Sequence, residues 1–561
     1  MHYRDQNHPC LRMVSSVLIP SGVRQGLMCI LSMLFLPVLA QTDDHHHAND
    51  SLLRRDFDYV VSSDLWLTSR NGAALTRFDA DNISEAKVSM TRERGGLHDF
   101  SGSGDVLQAD AAVASYFRVS PRTVVSGSMS YGNFNGKGMG GSVFISNSRL
   151  PFDIDEDSLT NLGKKHLDTY HLTGGVGIDL YHGLSVGARI DYTAANYAKY
   201  KDLRHKNKLM DMTLTIGVMS PIGSHLTLGA NYYYRRNTES ITFSTYGRYE
   251  KVYKSLINYG PFIGEVEQFE GNGFTEKSRE MPLVNDCNGG SVQIGVEMGK
   301  ARFINEFTAA HRTGYYGRKS PYTITFSHHS SNIYDYLGQL SMRSSHHHHL
   351  LDVNLNAENL VNDFTTYREK SNDNGAYYYQ YYDDVKTANK LWVNGAVAYT
   401  LHLGIHGELP TWTLRARYGW MHRKQTAYVY PYYRRQSLDN HEISLSIARH
   451  FQLRHGVLAL EADGGFLKGK GKPYEDLTFA QPSDRQSPPP TMDAWLYREY
   501  QWLTAAQYTV GGRVRYSFVI PHVAIASFAE VRARHRKANE TNEWSAGRDH
   551  TTVSVALGCR F

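Results

Sequence analysis

The chain has 561 residues and a formal net charge of +5, with a mean hydropathy of −0.45. The near-neutral balance argues against nucleic acid as the main partner, which would show as a strong basic excess. No apolar run after residue 40 is long enough for a membrane helix, which excludes a helical membrane protein. A spanning β-barrel stays open, because alternation hides its lipid face from averaged hydropathy. The 38 Tyr, 22 Phe, 7 Trp and 48 Gly suit aromatic girdles and glycine-bearing strands; the plainer alternative is a soluble secreted all-β protein.

In chain order, residues 1–40 read as a secretory signal. Arg4, Arg12 and Arg24 precede the apolar run Leu27 to Ala40, which ends at a small-residue cleavage site before Gln41. The run is shorter than the roughly 20 residues a spanning helix needs. Residues 41–82 contain Phe57, Tyr59, Val60, Leu65, Trp66 and Leu67, so they are expected to fold as an inner strand, a small plug or a periplasmic extension.

From residue 83 the chain alternates apolar and polar positions. Met210, Met212, Leu214, Ile216 and Val218 share one face, as do Trp412, Leu414, Ala416, Tyr418 and Trp420, and a period of two is the mark of a strand. This pattern predicts eighteen strands: 83–93, 107–119, 122–134, 167–181, 184–198, 208–220, 225–237, 290–299, 302–312, 334–344, 350–367, 390–403, 412–425, 440–453, 457–468, 503–519, 523–536 and 550–561. Sixteen is the alternative count. Tight turns such as Tyr181-His182-Gly183 alternate with long polar segments near 135–166, 240–288, 314–333, 370–388, 426–439 and 470–500. The fold expected is a transmembrane antiparallel β-barrel over 83–561, with short turns at one end and long loops at the other. Helix signals are scarce. The two cysteines left after cleavage, Cys287 and Cys559, are placed too far apart to pair.

The last strand, Thr551 to Phe561, alternates to its final residue and ends on an aromatic. It resembles the closing strand of bacterial outer-membrane β-barrels, in which such a terminus is read by the barrel assembly machinery. The whole mature chain is similar to the large uncharacterised outer-membrane barrel families of Gram-negative bacteria. Trp66-x-x-Ser69-x-Asn71-Gly-Ala-Ala-Leu75 resembles one such domain of unknown function. The likeness implies the bacterial outer membrane, with membrane lipid and the assembly machinery, through Phe561, as partners. It brings no substrate.

Candidate site residues lie on the inward faces. Strand parity puts Arg415, Arg417, Arg513, Arg515, Arg532, Arg534 and Arg560 in the lumen, with Asp352, Glu358, Glu461, Asp463 and Glu530. Lysine or arginine facing lipid at mid-bilayer costs about 2–4 kcal/mol, so these side chains point inward. They form either a basic wall for anionic solutes or an arginine–carboxylate ladder that stiffens the wall and holds the N-terminal segment; the ladder is preferred. His45, His46 and His47 and the turn His346, His347, His348 and His349 offer imidazole to a metal, although adjacent histidines lack the spacing of a defined site. No nucleophile motif stands in context, so no enzymatic activity and no cofactor are expected. Tyr377 to Tyr382 and Tyr428 to Tyr433 extend the outer girdle or bind a ligand.

Two function classes result. One is a channel or transporter for small solutes, since barrels of this size leave room for a lumen. The other is a structural, adhesive or complex-forming barrel with an occluded lumen that binds through its outer loops.

Overall fold

The computed structural model describes residues 53–156, 159–247, 251–271, 273–277, 279–520 and 525–561. The expected signal, residues 1–40, and His45 to His47 lie outside the described residues, as do residues 521–524, where the expected strands 503–519 and 523–536 adjoin.

The alternating sequence forms β1 (Ile83–Gly95), β2 (Asp105–Ser120), β3 (Thr123–Met139), β4 (Asp153–Glu156), β5 (Gly163–Tyr181), β6 (Leu184–Lys199), β7 (Arg204–Ile222), β8 (Leu226–Ser244), β9 (Lys254–Asn258) and β10 (Gly264–Gln268). It continues as β11 (Met281–Met298), β12 (Ala301–Ser320), β13 (Thr323–Arg343), β14 (His347–Ser371), β15 (Tyr377–His406), β16 (Leu409–Val429), β17 (Tyr432–Leu453), β18 (Gly456–Thr478), β19 (Gln507–Val519), β20 (Ala526–Ala538) and β21 (Asp549–Arg560). All but β4, β9 and β10 belong to one 18-stranded antiparallel sheet. β1 pairs with β2 on one side and with β21 on the other, so the sheet closes. Closure is sealed at the chain end, where the Phe561 N–H donates to the Ser84 carbonyl at 3.1 Å and the Ser84 N–H donates to the Phe561 carbonyl at 2.9 Å.

The register fixes which side chains face out. Ile216 and Val555 are 59% and 51% exposed. With Leu214, Val218, Leu445 and Leu557 they belong to a band of exposed apolar residues around the wall. A band of this extent is a lipid interface rather than a water-facing surface. The protein is therefore an outer-membrane β-barrel. Trp412 and Trp420 lie on the same outward row of β16, separated by about 20 Å along the normal, close to the height of the apolar band.

Short turns join the strands at the end that carries Ile83 and Phe561. Two residues link β5 to β6 and β11 to β12, and Gly183 and Gly299 take positive φ (79° and 60°) there, a conformation open to glycine. At the opposite end the structure corrects three of the expected long loops. Residues 314–333, 370–388 and 426–439 are largely strand, turned by Pro321-Tyr322, by residues 372–376 and by Tyr430-Pro431. Above the bilayer both faces of a strand can meet water or a polar loop, so pairing continues where apolar alternation stops.

The remaining outer segments fold inward. β4 and β10 flank β9 in a separate three-stranded sheet. A 12-residue helix, α2 (Asp493–Thr504), lies within or just beyond the segment expected to be a polar loop. Its Trp495 and Leu496 are buried with Phe100, Leu256 and Phe262.

Candidate functional site: a lumen closed at both ends

The short-turn end, which in outer-membrane barrels faces the periplasm, has a floor made by residues 53–82. Asp56 starts helix α1 (Phe57–Ser63) by accepting the Tyr59 N–H at 2.8 Å. Asp64 and Asn71 cap the two 3-10 turns that follow, Leu65–Thr68 and Gly72–Arg77. Short-side-chain caps of this kind satisfy the free N–H groups of a first turn. The segment reaches wall strands all around the barrel. Ser69 donates to Glu306 at 2.7 Å, and Thr68 donates to Gln339 at 2.6 Å. The Asn71 amide donates to Val218 O at 2.9 Å and to Gln293 Oε1 at 3.0 Å. Arg55 pairs with Glu408, and Arg560 donates to the Arg55 carbonyl.

Some wall glycines make room for this floor. A Cβ on Gly187 would overlap the backbone of Gly72, and one on Gly72 would sit 2.7 Å from Ala188 N. The two chains touch backbone to backbone there, which only glycine permits.

The outer end has a ceiling. Its apolar core joins Phe144, Phe152 and Ile154 with Ile257, Phe269 and Phe274 and with Tyr316 and Phe326 of the wall. Basic side chains at the upper rim latch it down. Lys165 and Lys199 pair with Glu156, Lys390 donates to Leu150 O at 3.0 Å, and Arg423 holds Glu499 of α2 at 2.7 Å. Burial raises the Asp153 carboxyl to about 6, and burial together with Asp153 pushes Asp155 well above the ordinary range.

Two cavities lie between floor and ceiling, of about 750 and about 540 Å³. Arg70, Thr68, Asp335 and Asn356 line both. The floor residue Arg70 reaches up to Asp335 of β13 at 2.7 Å, so this ion pair stands between the two spaces. The larger cavity adds Arg149, Arg189, Arg235, Arg312, Asp191, Asp211, Glu239 and Glu358. Most of these charges have opposite partners: Arg235 with Asp211 at 2.6 Å and Arg312 with Glu358 at 2.7 Å. The larger chamber is thus polar with both signs of charge.

The structure places the arginines singled out from sequence on one side of the lumen. Arg513 meets Glu461 at 2.7 Å and Glu530 at 3.6 Å. Arg515 meets Glu85 at 2.8 Å. Arg532 and Arg534 reach Asp463 at 3.5 and 2.9 Å, and Arg560 reaches Glu85 at 3.4 Å. Arg417 lies 3.5 Å from Glu442, with Arg415 on the same face of β16. Geometry here is a ladder of alternating charge, not a uniformly basic wall. Asp352 accepts from Gln339 at 2.6 Å.

His346 to His349 do not converge. His348 is buried beside Ser341 (2.7 Å) and Tyr59 (3.4 Å), His349 is half-buried and bonds Tyr399 at 2.8 Å, and His346 and His347 are exposed. Among the described residues no group of three His, Cys, Asp or Glu side chains is arranged to hold a metal ion. Cys287 and Cys559 are both free. Sequence reasoning missed Arg70, Asp335 and the rim lysines. Parity on β13 could have placed Asp335 inward, but nothing in the sequence tells that Arg70 would meet it.

Residues 72–561 match the family described as "Family of unknown function (DUF6850)". No curated protein matches. Among solved structures, BauA, the ferric preacinetobactin receptor from Acinetobacter baumannii, aligns over 85% of this chain and 80% of its own, at 9% identity and a TM-score of 0.38. The outer membrane transporter YddB from Escherichia coli aligns over 86% and 81%, at 7% identity and 0.39. The copper transporter OprC aligns over 86% and 82%, at 9% identity and 0.36. At these scores the superpositions carry no argument, and the architecture is read from the closed sheet itself. The chain belongs to the Family of unknown function (DUF6850).

Proposed function

We propose that this barrel carries a small polar solute across the outer membrane, through a lumen that stays shut until both the floor of residues 53–82 and the ceiling move. The observation behind this reading is the pair of cavities, about 750 and 540 Å³, that share Arg70 and Asp335. Side chains alone do not fill a barrel of eighteen strands, and here two covers close the ends without filling the space between them. That space is polar. The floor is held by apolar packing of Val60, Leu67, Leu75 and Phe78 against Ile83 and Val124, and by hydrogen bonds and ion pairs that water can replace as the segment leaves. A solute bearing a carboxylate or phosphate would compete with Asp335 for Arg70, and one bearing an ammonium would compete for Asp335. The barrel is read as a conduit and no chemical step is assigned to it.

A second reading, a fixed adhesive or structural barrel, is favoured by the ceiling, whose apolar core is built to stay folded. Planar-bilayer recording separates the two. The full mature chain is expected to be silent, the chain lacking residues 41–82 to open briefly, and the same deletion carrying Glu499→Gln, which breaks the Arg423 latch of the ceiling, to give steady ohmic steps. Silence in the deletion, persisting when the Arg423–Glu499 latch is also removed by Glu499→Gln, would sink the transport reading and leave the second.

A further inference from the structure

We propose that the outward face of β16–β18, directly above the upper aromatic girdle, binds the phosphorylated saccharide headgroup of a glycolipid of the outer leaflet. Three rows of paired residues climb this face. Trp420 stands opposite His441, which stands opposite Lys468. The next outward row is His422, Asp439 and Lys470, and the one above is Lys424, Ser437 and Lys472. All share the outward side with the girdle residue Trp420, because side chains two apart on a strand point the same way. Lys424 is about 10 Å above Trp420 along the normal, the level of lipid headgroups rather than acyl chains.

The charge is one-sided. Against Lys424, Arg435, Lys468, Lys470 and Lys472, the acids on this outward face are Asp439 and Glu475. Asp439 is already shared between His422 at 2.8 Å and Lys470 at 4.0 Å, and Glu475 stands opposite Arg435 in the ladder. Among the described residues no ion pair joins Lys424, Lys468 or Lys472 to a carboxylate, and all three are exposed. Exposed, clustered ammonium groups at headgroup height suit phosphate.

Aromatic rings complete the surface above the lysines. Tyr433 packs 4.5 Å from Phe479, with Tyr428 6.0 Å from the same ring. Phe479 is 59% exposed. Flat rings beside cations at the upper end of the patch suit the sugar faces of a headgroup whose phosphates lie on the lysines below. The three strands supply both kinds of contact on one side, and the band beneath them already faces acyl chains. The occupant is therefore a lipid with anionic sugars, lying against the barrel wall.

The test uses the full mature chain, folded in detergent and transferred to bilayers that contain purified lipopolysaccharide, the same lipid stripped of phosphate, or phosphatidylglycerol. Retained lipid is counted by native mass spectrometry, and folding is checked by heat-dependent gel mobility. The wild type should keep the phosphorylated glycolipid through extraction. The variant Lys424→Gln/Lys468→Gln/Lys472→Gln should keep at least about tenfold less. A control carrying Lys206→Gln and Lys208→Gln, outward on β7, should match the wild type. Equal retention by the triple variant would overturn the proposal, as would equal retention of the phosphate-free lipid or of phosphatidylglycerol. The lysines would then serve only to guard the edge of β18, which runs on to Thr478 beyond its last pairing with β19 at Leu467.

Discussion

Asp64 shows how a single side chain can couple the floor to pH. One carboxylate oxygen accepts the Trp66 N–H at 3.0 Å, and the other is buried without a partner. Burial, reinforced by the nearby Asp79, raises its pKa from 3.8 to about 7. The docked segment therefore binds a proton that the released segment gives up between about pH 4 and pH 7. Stability from this group is present at low pH and is lost as pH rises through about 7. Asp58, raised to about 6 chiefly by burial and then by Asp56, acts in the same sense. Asp56 itself goes the other way: burial opposes its charge, but Arg560 and His450 hold its pKa below the usual value, so its effect falls in more acid solution. Protease cleavage within residues 53–82 of the folded barrel should accelerate from pH 5 to pH 8.5. Asp64→Asn keeps an acceptor for the cap and removes the titration. It should flatten the rise near pH 7 and leave only the part near pH 6; an unchanged profile would show that Asp64 does not govern docking.

At the scale of the element, the strands were legible and their company was not. Met210 to Val218 announces its outward row by alternation, and β7 places that row against lipid as expected. The eighteen wall strands lie where the period of two put them, because a lipid-facing strand must be apolar at every second residue. That constraint ends above the membrane, so β14 runs on to Ser371 and pairs with Tyr377 to Tyr381 of β15, with nothing in their hydropathy to say so. The ceiling was illegible for another reason. Phe152, Phe274 and Tyr316 come from three distant segments and meet with ring centroids 5.1–5.3 Å apart, and no local pattern encodes such a meeting. Glycine is silent in a similar way. Nothing local in the sequence sets Gly187 apart from other strand glycines, yet its place is set by the backbone of Gly72 pressing on it. Gly187→Val should leave the wall intact and expel the floor. Hydrogen exchange should then show residues 65–77 losing protection while β6 and β7 keep theirs, and bilayer recordings should show openings absent from the wild type. Retained protection at 65–77 would show that the floor can shift without undocking.

For the whole molecule, one physical condition organises the rest: polar side chains inside, apolar ones against lipid, with all backbone groups paired around a closed sheet. Closure explains why Glu85, on the first wall strand, lies beside Arg560, on the last, and why a charge ladder can cross that seam. It also gives the two faces of one wall different tolerances. Val555 is six residues from Phe561, about 15 Å above the periplasmic edge and so near mid-bilayer. Val555→Arg should destabilise the barrel by about 2–4 kcal/mol. Asn394→Arg, on a position that lines the smaller cavity, should cost much less, because the new guanidinium enters polar space near Glu442. Urea titration of reversible folding into phospholipid vesicles reads both. Equal penalties at the two sites would mean that the wall does not separate lipid from water, and the lumen, its two covers and the glycolipid surface would all lose their basis.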